Sequence, residues 1–162
     1  MPPVQGAQQS RLGLTLAGYV RPRENQNADE TDIAGLGEAM LADLRKLVRS
    51  DPTFGGRATT HIAESRLLSG ATNDGSFDDI GAYVTQPIQL VIFWTDPSWL
   101  NVAIKAVVKA CKGIKQSAGY NNTVRYVTRH MTDPDELQSP QVPAVFVLRE
   151  IGGTEDLVYI DE

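Results

Sequence analysis

The chain is poor in the residues that build disulfides and metal sites. Its 162 residues include one cysteine, Cys111, and two histidines, His61 and His130. A single cysteine allows no disulfide within the chain and no cysteine-based metal site. Two histidines far apart in sequence disfavour a histidine-rich metal site. We expect Cys111 to be a small buried apolar side chain on a helix.

Long apolar runs are also missing. The longest, Leu90–Trp94, is far shorter than the roughly 20 residues that cross a bilayer, and the first residues lack the basic and apolar regions of a signal peptide. We expect no membrane association and a cytoplasm-like compartment.

Cations are in the minority. The chain has 15 Lys and Arg against 20 Asp and Glu, a formal net charge of -5. Affinity for nucleic acid comes mainly from cations that neutralise phosphates, so such a chain is a poor general nucleic-acid binder. An excess of negative charge would suit a surface that DNA passes without binding to it.

Motifs for nucleotide binding and hydrolysis are absent from the sequence. It has no Gly-x-Gly-x-x-Gly fingerprint, no Gly-Lys-Ser/Thr phosphate loop and no Gly-x-Ser-x-Gly elbow. Gly55-Gly56 precedes a predicted strand, so it lacks the helix N-terminus that would hold a phosphate. We assign no catalytic, cofactor-binding or metal-binding residue and expect no enzymatic activity. A weaker alternative is an enzyme that uses Asp/His chemistry from loops.

Acidic side chains cluster in the predicted loops. We interpret them as solubilising, with a divalent-ion site as the alternative, although the regular spacing of a calcium loop is absent. The clusters are Asp78-Asp79, Asp133/Asp135-Glu136 and Glu155-Asp156.

Two helices are predicted from apolar positions spaced three and four apart. The first is capped by Asp32, carries Ile33 to Val48 on one face and is stopped by Pro52. The second is capped by Ser98 and carries a stripe from Leu100 to Ile114. Lys105, Lys109 and Lys112 lie on its opposite side, either as a solvated face or, less favoured, as a DNA contact.

Strands are predicted where apolar residues alternate or run together. The run Ile88 to Trp94 has one polar side chain, so its strand should be central or covered on both faces. Trp94 and Trp99 flank the turn at Asp96-Pro97, where they either pack at the core edge or anchor an oligomer contact. The predicted strands are 12–20, 58–68, 83–94, 123–130 and 144–148, with a short piece at 157–160 that forms a last strand or docks on a partner.

The stretch Asp51-Pro52-Thr53-Phe54-Gly55-Gly56 separates the first helix from the next strand. Proline forbids continuation of the helix, and the two glycines permit the reversal. The loop 69–82 that follows the strand is rich in turn residues. This order of elements predicts a single α+β domain over 1–162, with two main helices packed on one face of a mixed sheet. Flexible arms are expected at 1–10 and 154–162.

The first half of the chain resembles the C-terminal half of the tail terminator and tail-completion proteins of long-tailed bacteriophages. The resemblance rests on a strand reading Leu14 to Arg21, an acidic loop, a helix reading Leu41 to Val48, the Asp51–Gly56 stop and the apolar strand Ile88 to Trp94. It implies a virion protein without catalytic residues, which assembles as a hexameric ring on the tail tube and meets the head connector.

The second half resembles the N-terminal half of the same family. The matching pieces are the helix Val102 to Lys115, the segment Gly119 to Val124 and the proline-led strand Pro143 to Val147. Relative to the family the chain is therefore circularly permuted, through natural rearrangement, engineering or a numbering artefact. Permutation is tolerated when the old termini are close and exposed, so Met1 and Glu162 should lie near each other.

The leading hypothesis is thus a structural protein of the virion tail or neck, assembled in the host cytoplasm. Its partners would be further copies of itself, the tail tube protein and the head-tail connector, with DNA passing through the lumen without specific binding. The arms would donate strands between subunits, and the loops 22–31 and 69–82 would contact the tube or connector. The alternative is a small cytoplasmic binding or regulatory domain with a ferredoxin-like fold, acting alone or as a dimer.

Overall fold

The computed structural model describes residues 8–22, 30–74, 81–130 and 136–149. Within these ranges it contains six strands and three helices. In chain order they are β1 (Gln8–Val20), α1 (Glu30–Ser50), α2 (Arg57–Thr60), β2 (Ile62–Leu67), β3 (Thr72–Asp74), β4 (Ala82–Trp94), α3 (Trp99–Lys112), β5 (Tyr126–Thr128) and β6 (Ala144–Arg149).

All six strands belong to one mixed sheet. Their spatial order is β2-β4-β1-β6-β5, and β3 pairs with β4. β5 and β6 are parallel, whereas every other pair is antiparallel. β4 lies between β1 on one side and β2 and β3 on the other, which confirms the central position predicted from its apolar run. The expected α+β class with a mixed sheet is likewise confirmed.

Both long helices pack on the same face of this sheet. The period of two in β1 directs Leu12, Leu14 and Leu16 to that face, where all three are fully buried. α1 and α3 close over them, each with an apolar stripe at helical spacing. The members of this main core that the helices supply include Met40, Leu44, Val48, Ala103, Ile104, Val107 and Cys111.

The opposite face carries a second, smaller core. Tyr19 and Phe146 are its largest fully buried members, and Leu137 covers them from the segment before β6. Arg21 donates to the Leu137 carbonyl at 3.4 Å and lies 5.1 Å from the centre of the Tyr19 ring. This cluster covers the part of the sheet that is formed by β1, β6 and β5.

The four strands β2-β4-β1-β6 and the two long helices follow the chain order β-α-β-β-α-β. The chain makes two crossovers, β1–α1–β2 and β4–α3–β6. β4 lies between the two strands of the first crossover, and β1 lies between the two strands of the second. This is the ferredoxin-like, or split βαβ, arrangement. β3 and β5 are additions to it.

The stop after α1 is built as the sequence predicts. The Asp51 carboxylate accepts the main-chain N–H groups of Thr53 at 3.2 Å and Gly55 at 2.8 Å. Phe54, Gly55 and Gly56 all have positive φ, at 52°, 116° and 101°. Asp51 thus replaces helical hydrogen bonds with a side-chain turn, and the glycines supply the left-handed conformations.

Both early elements begin before their predicted first residues. β1 starts at Gln8, so Gln8–Ser10, expected in the N-terminal arm, pair with Ile92–Trp94. Ser10 is buried and bonded to a tryptophan, which explains why a polar stretch joins the strand. α1 starts at Glu30, two residues before the predicted cap. The rest of the two arms, 1–7 and 154–162, lies outside the described residues.

The predicted strand 58–68 was wrong at its start. Residues 57–60 form the helical turn α2, and His61 sits in the left-handed region at φ 64° instead of in a strand. The Thr60 hydroxyl explains the turn, because it donates to the Thr53 carbonyl at 2.8 Å and accepts the Ile62 N–H at 3.1 Å. Gly55-Gly56 therefore precedes a helical turn, although α2 is too short to form an anion site.

Two further boundaries differ from the sequence patterns. β5 spans three residues instead of 123–130, because the Val124 N–H donates to the Ile114 carbonyl and the Arg125 N–H to the Pro143 carbonyl. Part of the predicted loop 69–82 is strand β3, whose Thr72 hydroxyl bonds to that of Thr85 at 2.7 Å. The predicted strand 157–160 lies outside the described residues.

Candidate assembly surface

The titratable residues singled out in the sequence do not converge. Among the described residues no group of three or more His, Cys, Asp or Glu is placed to hold a metal ion. His61 follows α2 and His130 is exposed after β5. Of the acidic clusters, only Glu136 is described, and it is exposed.

Cys111 occupies the predicted place on the buried face of α3. Its side chain is fully buried in the main core, and this desolvation raises the pKa of the thiol to about 12. The thiolate is the reactive form of cysteine. Burial therefore makes Cys111 a packing residue, as the sequence analysis predicts.

The turn into α3 differs in detail from the prediction. Ser98 holds the N-cap position, yet its side chain makes no capping hydrogen bond. Instead, the Asp96 carboxylate accepts the Ser98 N–H at 2.9 Å. That bond, together with one from the Ser98 hydroxyl, lowers the pKa of Asp96. The three lysines of α3 are exposed on its outer side, as expected.

The two tryptophans form a buried pair at the end of the sheet where β1 begins. Their rings stack with centres 5.6 Å apart and planes 20° apart. The Trp94 indole N–H donates to the Ser10 hydroxyl at 2.6 Å. Trp94 is 7% exposed and Trp99 is 3% exposed. Of the two interpretations of this pair, packing at the core edge is therefore the one that the structure supports.

The first half of β1 lies beside that pair and pairs with a single described strand. β1 pairs with β4 along its whole length, but with β6 only from Leu14 to Tyr19. Within the part of the chain that the structure describes, no strand pairs with Gln8–Gly13 on the side of β6. We call this side of Gln8–Gly13 the β1 edge. Every second residue of a strand directs its N–H and C=O to the same side, so the β1 edge presents main-chain donors and acceptors.

Two arginines lie near this half of β1. Arg11 is exposed within it, and Arg149, the last described residue of β6, lies opposite Leu14. Arg149 therefore shares the helix-covered side of the sheet with Leu14, whereas Arg11 faces the other side.

The outer edge of the sheet that β2 forms is poorly suited to strand addition. β2 is short, carries a bulge between Ile62 and Glu64, and places Glu64 and Arg66 in a surface ion pair at 2.6 Å. Bulges and charged side chains are the devices that protect edge strands from pairing.

Two polar anchors that the sequence analysis missed hold α1 in place. Asp43 is 1% exposed and accepts three hydrogen bonds from the Asn121-Asn122 turn. Gln86 is also 1% exposed, accepts from Arg45 at 3.1 Å and donates to the Leu68 carbonyl. The sequence signal for these anchors is weak: each is a polar residue at a position that faces the core in an otherwise apolar pattern.

Searches among protein family models, curated proteins and solved structures find no match to this chain. No helix of the described residues is long and apolar enough to cross a membrane.

Proposed function

We propose that this chain is a structural virion protein that assembles as a ring, closes the tail tube of a long-tailed bacteriophage and joins it to the head connector. The observation that carries the proposal is the pairing of β6 with β1. These strands are neighbours and antiparallel, and the end of β6 and the start of β1 lie at the same end of the sheet.

This pairing supports the permuted order that the resemblance implies. A connection from the end of β6 to the start of β1 would be an ordinary hairpin link between adjacent antiparallel strands. The order would then read α3–β5–β6–β1–α1–α2–β2–β3–β4, without moving any strand. Met1 and Glu162 themselves lie outside the described residues, so their separation stays a prediction.

The β1 edge supports the assembly part of the proposal. A ring needs a contact between two different patches of the same subunit, repeated by rotation until it closes. The part of β1 that pairs with a single described strand would offer one half of such a contact. The tube protein and the connector would meet other surfaces of the ring, and DNA would pass through the lumen without specific binding.

A second candidate is a small cytoplasmic binding or regulatory domain. The observation that favours it is the split βαβ topology, which is complete in the present chain order and needs no permutation. The fold by itself does not choose between the two, because ferredoxin-like domains carry many unrelated functions.

The mass of the purified full chain in solution separates the two candidates. We expect a ring, seen as a single high-mass species by light scattering and by native mass spectrometry, and as closed circles in electron micrographs. A chain that stays a monomer or dimer at high concentration, and that is absent from purified phage particles, would overturn the ring proposal and favour the second candidate.

A further inference from the structure

The cations of this acidic chain are gathered on the outside of its helical layer. Over residues 97–132 the sequence contains four lysines and two arginines but no aspartate or glutamate. The second half of α1 adds three more cations, which point away from the sheet. We use the name basic helix face for Arg45, Lys46, Arg49, Lys105, Lys109, Lys112 and Lys115. All of these side chains are exposed except the first, which is half-buried.

The two parts of the basic helix face meet at the turn that follows α3. Asn121 in that turn donates its main-chain N–H to Asp43, so the end of α3 lies beside the middle of α1. Lys46 reaches across this junction, since its Nζ is 5.0 Å from the centre of the Tyr120 ring. The Tyr120 N–H in turn bonds to the Lys115 carbonyl at 3.3 Å. The cations of α1 and the lysines at the end of α3 therefore belong to one surface.

The α1 part of this face is concave. Its cations border a shallow concavity of about 440 Å³, which Ala42 and Ser50 complete. Arg45 is fixed at the rim, because its Nε donates to the side-chain oxygen of the buried Gln86 at 3.1 Å. That bond leaves the terminal N–H groups of the guanidinium, which can hold a phosphate through two parallel hydrogen bonds. No residue of the basic helix face forms an ion pair with another described residue.

The composition of the basic helix face favours a phosphate backbone over a protein partner. Most of its cations are lysine, a residue depleted from protein–protein interfaces. The face also lacks an apolar anchor, since Leu68, which follows β2, is the one large hydrophobic side chain that is exposed among the described residues. Single-stranded nucleic acid binds through exposed aromatic rings, whereas the Tyr120 ring is half-buried beneath Lys46. A duplex, which presents its phosphates outward, is the polyanion that fits.

We propose that the basic helix face binds the phosphate backbone of double-stranded DNA without regard to sequence. From Lys105 to Lys112, α3 rises about 10 Å, a length of duplex that carries roughly six phosphate charges. The net charge of -5 describes the whole chain, whereas the field at a bound duplex is set by the local excess of cations. The inference does not depend on the ring and adds to it a surface that contacts DNA.

Binding of the full chain to labelled duplexes of unrelated sequence, followed by fluorescence anisotropy over a range of salt concentrations, tests the proposal. We expect equal affinity for all the duplexes. The logarithm of the affinity should fall against the logarithm of the salt concentration with a slope of about -3 to -4, as for about four neutralised phosphates.

Two variants address the two parts of the face separately. One is Lys105→Gln with Lys109→Gln on α3, and the other is Lys46→Gln with Arg49→Gln on α1. Each should weaken binding at low salt by at least about tenfold and reduce the magnitude of the salt slope by about two. A loss in one variant only would show that the two helices do not form a common surface for DNA.

A matched control removes the same charge from the other side of the sheet. Arg11→Gln with Arg66→Gln alters two exposed arginines that face away from the helices. It should leave the affinity within about twofold of that of the unmodified chain. Circular dichroism and the melting temperature show that each variant is folded. Equal losses in the control and in the face variants would overturn the assignment to this face.

The remaining outcomes separate this inference from the proposed function. A folded full chain without salt-dependent binding to DNA would overturn the inference, even if that chain forms a ring. A monomer that binds DNA through the basic helix face would leave the inference standing and overturn the ring. Polyglutamate that displaces the labelled duplex as effectively as unlabelled duplex of equal charge would assign the face to an acidic protein instead.

Discussion

Asp43 on α1 accepts the main-chain N–H of Asn122 at 2.8 Å, across 79 residues of sequence. Its other carboxylate oxygen accepts the N–H of Asn121 at 2.8 Å, and the Asn122 amide adds a third bond. Because Asp43 is almost completely buried, these bonds replace the water that a carboxylate needs. This buried carboxylate therefore holds the turn after α3 against α1, beside the exposed Lys46 that bonds to the Gly119 carbonyl.

Replacing Asp43 with alanine should destabilise the protein by about 3 kcal/mol, since two main-chain donors lose their acceptor in a buried place. Urea denaturation followed by circular dichroism measures the change. Lys46→Ala is the control, because Lys46 is exposed and bonds to the Gly119 carbonyl at 2.6 Å. It should cost less than about 1 kcal/mol. Equal losses in the two variants would contradict the role given to Asp43.

The bond between Ser10 and Trp94 predicts a local effect at the β1 edge. Ser10→Ala leaves the buried indole N–H without its partner at 2.6 Å, which should cost about 1–2 kcal/mol. Amide hydrogen exchange of Gln8–Gly13 should accelerate more than that of Leu14–Tyr19, which β6 also holds. Ser117→Ala, at an exposed position, is the control. Uniform acceleration along β1 would show that Ser10 does not anchor this half specifically.

The sequence pattern was sufficient to predict the helices and strands that bury one apolar face. The period of two in β1, the apolar run of β4 and the stripe of α3 were all predicted within a few residues. The errors lie where a polar side chain redirects the backbone. The Thr60 hydroxyl creates a helical turn in place of the expected strand start, and the Ser10 hydroxyl lets a polar stretch join β1.

The anchors and the candidate surface depend on contacts that no local pattern contains. The sequence analysis gave Asp43 no role, and its partners are 78 and 79 residues away. The position of β1 between β4 and β6 could not be recognised either, because it follows from the strand order of the folded sheet.

Two glycines should respond in opposite directions to the same substitution. Gly55 has φ 116°, and a methyl group there meets only ordinary contacts, so Gly55→Ala should cost about 1–2 kcal/mol through backbone strain. Gly35 lies exposed in α1 with nothing near a methyl group. Gly35→Ala should therefore stabilise the protein by up to about 1 kcal/mol. Melting temperatures of both variants test the contrast, and a loss at Gly35 would contradict it.

Cys111 should be protected from thiol reagents as long as the protein is folded. Its side chain is fully buried and its pKa is raised to about 12 from the ordinary 9.0, so the reactive thiolate is scarce at neutral pH. Absorbance with a disulfide reagent should show no rapid reaction in buffer and complete reaction in concentrated guanidinium chloride. Ser117→Cys in a Cys111→Val background provides an exposed reference thiol. A native Cys111 that reacts as fast as this reference would contradict the buried assignment.

The same shift in pKa predicts how stability depends on pH. A group whose pKa is raised by folding contributes stability that is complete below its unfolded pKa and is lost as the pH rises through the folded one. For Cys111 this window runs from the ordinary 9.0 to about 12. The free energy of unfolding of the unmodified chain should therefore fall, relative to Cys111→Val, as the pH rises above 9.0. Denaturation of both proteins across that range measures the difference, and a constant difference would show that the unfolded thiol gains nothing by ionising.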